Sequence, residues 1–230
     1  MTCAKGIVSI MPVLPLKASL HSLLASALLL LSGCGVFDRD ELFLRPSQYD
    51  ARTAFVPMPV ERAWVTAPGL RALYQRPVFE GYEQRLSLAN PTVLPGDNLM
   101  VLRVRDNIVP EARLVFEEFT RWTGGLPAPF EGLTAGELMR GEDEMGPYFY
   151  AEHRSGPDTV CIFGLRRLNG SHREIPARGD VMDVQLRNCL RGSPEEALAP
   201  LLAASLRSAP GAAQPDGTSR LLSPLAGPGL

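Results

Sequence analysis

Leu31-Ser32-Gly33-Cys34 closes an apolar run from Leu28 to Leu31, with the spacing at which a cysteine thiol can be lipidated. A leucine three residues ahead of the cysteine, with small side chains between, lets an extended backbone sit closely in a peptidase cleft. Cleavage there would make Cys34 the first residue, with diacylglycerol on its thiol and a further acyl chain on its amine. Each buried methylene contributes about 0.8 kcal/mol, so one chain holds marginally and two or more hold firmly. The stretch before it has the parts of a signal: Lys17 as basic flank, an apolar core from Leu20 to Leu31, and small residues at the cut. That core falls short of the roughly 20 apolar residues of a membrane span. Residues 1–33 are thus expected to be a removed signal peptide, with Met11 a tidier start than Met1. Gly35, where an aspartate would argue for retention, directs the expectation to the periplasmic face of the outer membrane, reached through the lipid on Cys34.

Cys3 leaves with that signal and Cys34 is consumed by lipid, which leaves Cys161 and Cys189 as a pair in an oxidising space. A disulfide between them closes a loop of about 28 residues and contributes roughly 3 kcal/mol in the chain-entropy account. The alternative, a metal held by Cys161, His172 and Cys189, lacks a recognised ligand spacing. An enzyme needs a convergent polar set. His153 stands beside Glu152, and His172 lies with Arg173 and Glu174, both in settings ordinary for structural or surface histidines. The sequence has no nucleophile elbow, paired-histidine motif or phosphate-cradling glycine loop. Glu142, Asp143 and Glu144 would serve glycoside hydrolysis only with another acid facing them at about 5 to 9 Å. The expectation is a non-enzyme without cofactor or metal. Its candidate glycan or partner surface is Tyr148, Tyr150 and Glu152 on one side of a strand, with Tyr82 and Gln84 on one side of another. Tyrosines at alternate positions can stack on sugar rings while their hydroxyls bond sugar hydroxyls. Packing at the edge of the core is the competing reading, and an exposed sheet edge is a second candidate surface.

The chain has 230 residues, with 23 basic against 25 acidic and a net charge of −2. Loss of Lys5 and Lys17 leaves 21 basic residues, a net charge of −4, so there is no basic field for nucleic acid. Every cation after Cys34 is arginine, which suits planar recognition of anions but is equally the mark of GC-rich codons. What remains after trimming suits one domain.

Residues 34–68, with Pro46, Pro57, Pro59 and Pro68, are expected to be a lipidated tether, partly extended over 47–60 where prolines oppose a helix. A short helix is expected over Gly69 to Gln75. Tyr82 to Leu88 and Leu99 to Arg105 alternate as strands about a Pro95-Gly96-Asp97-Asn98 turn. Pro110 to Trp122 reads as a helix whose stripe is Val115, Phe116, Phe119 and Trp122, stopped by Gly124. Thr134 and Glu137 form a capping box for a short helix to Arg140, and 142–144 read as a solvated loop. Tyr148 to Arg154 and Thr159 to Leu168 form a hairpin, and Val181 to Leu190 a further strand. Ser193-Pro194-Glu195-Glu196 opens a helix with a leucine stripe that Pro200 kinks. Residues 209–230 are expected to be a disordered tail. The sum is an α+β domain over 69–208, a mostly antiparallel sheet of about five strands with two main helices on one face. A weak internal duplication, hairpin then helix, is visible in it, although the residues of the two halves do not match.

Several islands carry a resemblance: Glu83 to Leu88 with Pro95 to Asn98, Gly146 to Tyr150, Cys161 to Gly164, and Val184 to Cys189 with its capped helix. With the lipidation motif, they are similar to the cellulose biosynthesis protein BcsN family over about Gln75 to Ser208. The resemblance implies a periplasm-directed protein associated with cellulose synthesis and carries over no catalytic residue. The expected role is therefore a non-enzymatic lipoprotein assisting exopolysaccharide biosynthesis or export, with cellulose synthase or export subunits, or nascent glycan, as partners. The alternative is an envelope scaffold or chaperone lipoprotein of a secretion complex unrelated to glycan.

Overall fold

Alternation of side chains dictates most of the architecture, because a strand with apolar residues at every second position must cover that face. The structure, a computed structural model, describes residues 46–106, 109 and 113–207. Helix α1 (Pro46–Arg52) precedes β1 (Val56–Met58), β2 (Leu70–Val78), β3 (Gly81–Leu88) and β4 (Leu99–Arg105). After α2 (Phe116–Thr123) come β5 (Met139–Asp143), β6 (Gly146–Ser155), β7 (Thr159–Asn169) and β8 (Val181–Arg191), then the short helices α3 (Pro194–Leu198) and α4 (Ala203–Leu206). The eight strands form one sheet in the order β1-β2-β3-β4-β8-β7-β6-β5. Every neighbouring pair is antiparallel. Two four-stranded meanders thus meet at β4 and β8, where Leu102 lies opposite Val184. From either edge to the seam the strands run in chain order.

Both faces are covered. On the first, Leu73, Leu86, Met100, Leu102, Val184 and Ile162 pack beneath Trp64, Leu201 and Leu206. On the second, Cys161, Phe163, Leu165 and Cys189 pack beneath Phe119 and Phe130. The helix after β4 therefore lies on the opposite face from the helices after β8. Gly164, on central β7, makes room for the C-terminal layer: a methyl there would stand 2.6 Å from Leu201 Cδ2.

This corrects the expected fold. The sheet has eight strands among the described residues instead of about five, the helices are short, and they occupy both faces instead of one. The helix expected over 69–75 is strand β2. Pro77 is tolerated there because three-residue β1 pairs only with Leu73 to Gln75, so no neighbour asks for the proline's missing N–H on that side. The helix expected from Pro110 begins at Phe116 and spans eight residues; positions 110–112 lie outside the described residues. The helix expected up to Arg140 is a single 3-10 turn, Ala135–Glu137, before β5, although Glu137 Oε2 does accept from Thr134 N–H at 2.8 Å. The last helix breaks as expected at Pro200, into α3, a 3-10 turn and α4. Folded structure also reaches further toward the N-terminus than Gly69. The stretch expected to be extended from 47 forms α1 over Pro46–Arg52, and Trp64 is fully buried. The signal, Cys34 and the expected tail over 209–230 lie outside the described residues.

Candidate functional site

Strands β2, β3, β4, β8 and β7 carry a transverse row on the second face: Arg76 opposite Glu83, Glu83 opposite Arg103, Arg103 opposite Asp183, Asp183 opposite Arg167. Charge alternates along it. Glu83 accepts from Arg76 Nη2 at 2.9 Å and from Arg85 Nε at 3.0 Å, and Asp183 accepts from Arg105 Nη2 at 2.7 Å and Arg167 Nε at 2.6 Å. Both carboxylates are fully buried. Asp50 of α1 pairs with Arg103, and Glu118 of α2 accepts from Arg105 Nη1 at 2.6 Å, so the row also pins the two helices. Burial would raise the Glu118 carboxyl; Arg105 outweighs it and holds the group below its ordinary value. Rings cover the guanidiniums: Phe55 lies 4.4 Å from both Arg76 and Arg85, and Trp122 lies 5.4 Å from Arg103. Among the described residues these ion pairs join five arginines, Arg76, Arg85, Arg103, Arg105 and Arg167, to four acids, Asp50, Glu83, Glu118 and Asp183.

A further arginine on this face is held differently. Arg187 donates from Nε to Ala128 O at 2.6 Å, from Nη2 to Pro95 O at 2.6 Å, and from Nη1 to Gly96 O at 3.1 Å and Asn98 Oδ1 at 3.2 Å. Asn98 in turn accepts from Cys189 N–H at 2.7 Å and donates to Cys189 O at 2.7 Å. The Pro95-Gly96-Asp97-Asn98 turn, Arg187 and the second cysteine are thus one assembly. Gly96 is required in it, because its φ is +92° and a side chain there would press on the guanidinium. The disulfide joins Cys161 of β7 to Cys189 of β8, residues directly opposite in the register, as expected from their isolation in the sequence.

Among the described residues, clefts open on this face. The larger, about 690 Å³, is walled by Leu114, Phe116, Leu138 and Phe149, with Arg167 and His172 at its polar end. His172 Nδ1 accepts from Asn169 N–H at 3.1 Å, so the neutral ring carries its proton on Nε2. Burial, then Arg166, lowers its pKa, which favours that neutral form. The smaller, about 280 Å³, lies between β3, β4, β8 and the end of α2 and is bordered by Arg85, Asp97, Val101, Gln185 and Arg187.

The candidate glycan surface, Tyr82, Gln84, Tyr148, Tyr150 and Glu152, falls on the other face. Tyr148 and Tyr150 lie together, ring centroids 6.0 Å apart, and Glu152 pairs with Arg154 at 2.6 Å. Tyr82 and Gln84, on β3, are four strand spacings away, about 19 Å, and do not join them. The Tyr148 ring lies across Gly141 of the edge strand and 5.4 Å from the Arg166 guanidinium. Its faces are engaged by the fold. Asp143, expected in a solvated loop, ends β5 instead and pairs with fully buried Arg166. His153 sits edge-on to Phe130, ring centroids 6.3 Å apart.

The chain matches no family model, no curated protein and no solved structure. Its site therefore stands on its own geometry. The signal that would have located it is the run Asp183, Gln185, Arg187 at alternate positions between Met182, Val184 and Leu186. Such alternation ordinarily marks a solvated face. Here all three polar side chains are buried.

Proposed function

We propose that the protein is a lipid-anchored component of the periplasmic face of the outer membrane that assists exopolysaccharide, and specifically cellulose, biosynthesis or export by binding instead of by catalysis. The observation that carries the compartment is the Cys161–Cys189 bridge, a bond that persists in oxidising spaces. The Leu31-Ser32-Gly33-Cys34 motif supports the anchor, and the likeness of the Pro95 to Asn98 turn and the Val184 to Cys189 strand to the cellulose-associated family supports the glycan role. The two clefts described on the second face offer surfaces for binding. Cells grown with radiolabelled palmitate are expected to yield labelled protein, and Cys34→Ser to yield none. Deletion of the gene is expected to lower dye-binding polysaccharide, restored by the wild-type chain and not by Cys34→Ser. Normal polymer in the deletion strain refutes the glycan role, and an unlabelled, freely soluble wild type refutes the anchor. Strand β5, which pairs on one side only among the described residues, favours a scaffold role as the second reading. Co-purification of secretion-pore subunits in place of synthase subunits would select it.

A further inference from the structure

Arg85, Val101 and Gln185 lie side by side in register on β3, β4 and β8, so Arg85 and Gln185 stand about 10 Å apart with a valine as the floor between them. Thr123 to Pro127, at the end of α2, closes the space above and leaves the 280 Å³ cleft. Three groups bordering it are incompletely used. Arg85 commits Nε to Glu83 and lies 4.4 Å from the Phe55 ring centre, while its two terminal nitrogens make no hydrogen bond among the described residues. Arg187 is a buried cation fixed by carbonyl oxygens and by no carboxylate among the described residues, and one N–H of its Nη2 is unspent. Gln185 is 6% exposed, and among the described residues its Oε1 is buried without a hydrogen-bond partner.

These groups define a ligand. Two guanidiniums locked in a rigid frame favour an anion, because planar forks pair best with a carboxylate or similar oxyanion. An orphaned buried amide oxygen is costly and asks for a donor, which a simple oxyanion such as sulfate lacks. Asp97 on the border supplies another acceptor, and with Glu131 it partly offsets the charge of Arg187, as Glu83 does for Arg85. The volume lies just below the roughly 300–1,000 Å³ of sites for drug-sized ligands, so the occupant is a single small unit. We propose that the cleft between Arg85, Gln185 and Arg187 binds a sugar acid, its carboxylate on the two arginines and one hydroxyl donating to the Gln185 amide oxygen. Rigid placement supports it: the Arg187 cage ties the Pro95 turn to the disulfide strand pair, so the cationic wall is formed before any ligand arrives.

The inference goes beyond the anchoring and polymer roles, which are read in cells, whereas this is read on the purified full chain in mild detergent. Titration calorimetry with glucuronate is expected to show one saturable site with a dissociation constant of about 1 mM or tighter. Glucose, which lacks the charge, and sulfate, which lacks the donor, are each expected to bind at least about tenfold more weakly. Gln185→Leu and Arg85→Gln are each expected to weaken glucuronate about tenfold while keeping the native near-UV circular dichroism spectrum. If Gln185→Leu does not fold, Arg85→Gln carries the test, since its side chain is one-third exposed. Equal affinity for sulfate or glucose, unchanged glucuronate affinity in a folded variant, or no saturable binding in the millimolar range overturns the proposal.

Discussion

At the scale of single residues, the most consequential charges are those buried opposite a partner. Asp143 accepts from Arg166 Nη1 at 2.9 Å, from Met145 N–H at 2.9 Å and from Ala203 N–H at 2.9 Å, so one carboxylate joins the β5–β6 hairpin, central β7 and the start of α4. Burial would raise its pKa; Arg166 and then the two backbone donors outweigh that and bring it from 3.8 to about 2. A carboxyl held below its unfolded value stabilises the fold fully above that value, and the contribution is lost as pH falls through the folded value. Here the window runs from about pH 4 down to about 2, with about 2 kcal/mol at stake. Asp143→Asn strands Arg166, which is fully buried, and is expected to cost about 3–5 kcal/mol at pH 7 and to flatten the acid limb of the stability curve. Urea midpoints measured across that pH range decide it; parallel acid losses in both proteins would refute this account. None of this was legible beforehand, since Glu142-Asp143-Glu144 has the composition of a solvated loop. Glu142 and Glu144 do make exposed pairs with Arg140 and Arg207, and only the middle acid turns inward.

At the scale of elements, the strands were far more readable than the helices. β3, β4, β6, β7 and β8 coincide with alternating runs because their first-face residues repeat every second position beneath one apolar layer. The helix expected from Pro110 begins only at Phe116, since Arg113 to Val115 are not helical, whereas it stops at Gly124 as the sequence implies, with φ +90°. The leucines after Ser193 mark the C-terminal layer correctly. What they touch depends on Gly164, whose missing side chain admits Leu201 to the face of β7. Gly164→Ala is expected to destabilise the protein by about 1–3 kcal/mol through overpacking, although alanine is locally tolerable in a strand. A guanidinium unfolding curve matching wild type would show that the C-terminal layer yields without cost.

At the scale of the whole molecule, the sheet is completed by its last strand. Until β8 enters between β4 and β7, both meanders expose a long edge, and the partners across the central seam, such as Leu102 and Val184, are far apart in sequence. A chain ending at Asp180 is expected to aggregate through those edges and to elute in the void on size exclusion, where a folded monomer would contradict this order of assembly. The sequence by itself determined the pairing of two isolated cysteines and the positions of five strands, because each depends on neighbouring residues or on the absence of any competing partner. Tertiary structure alone decided that Leu70 to Val78 is a strand, that the helices divide between the faces, and that the polar side of β8 is buried. The physical reason is that alternation reports which residues share a face. Whether that face meets water or a network of opposite charges depends on Glu83, Arg103, Arg105 and Arg167, brought to Asp183 and its neighbours from strands distant in the chain.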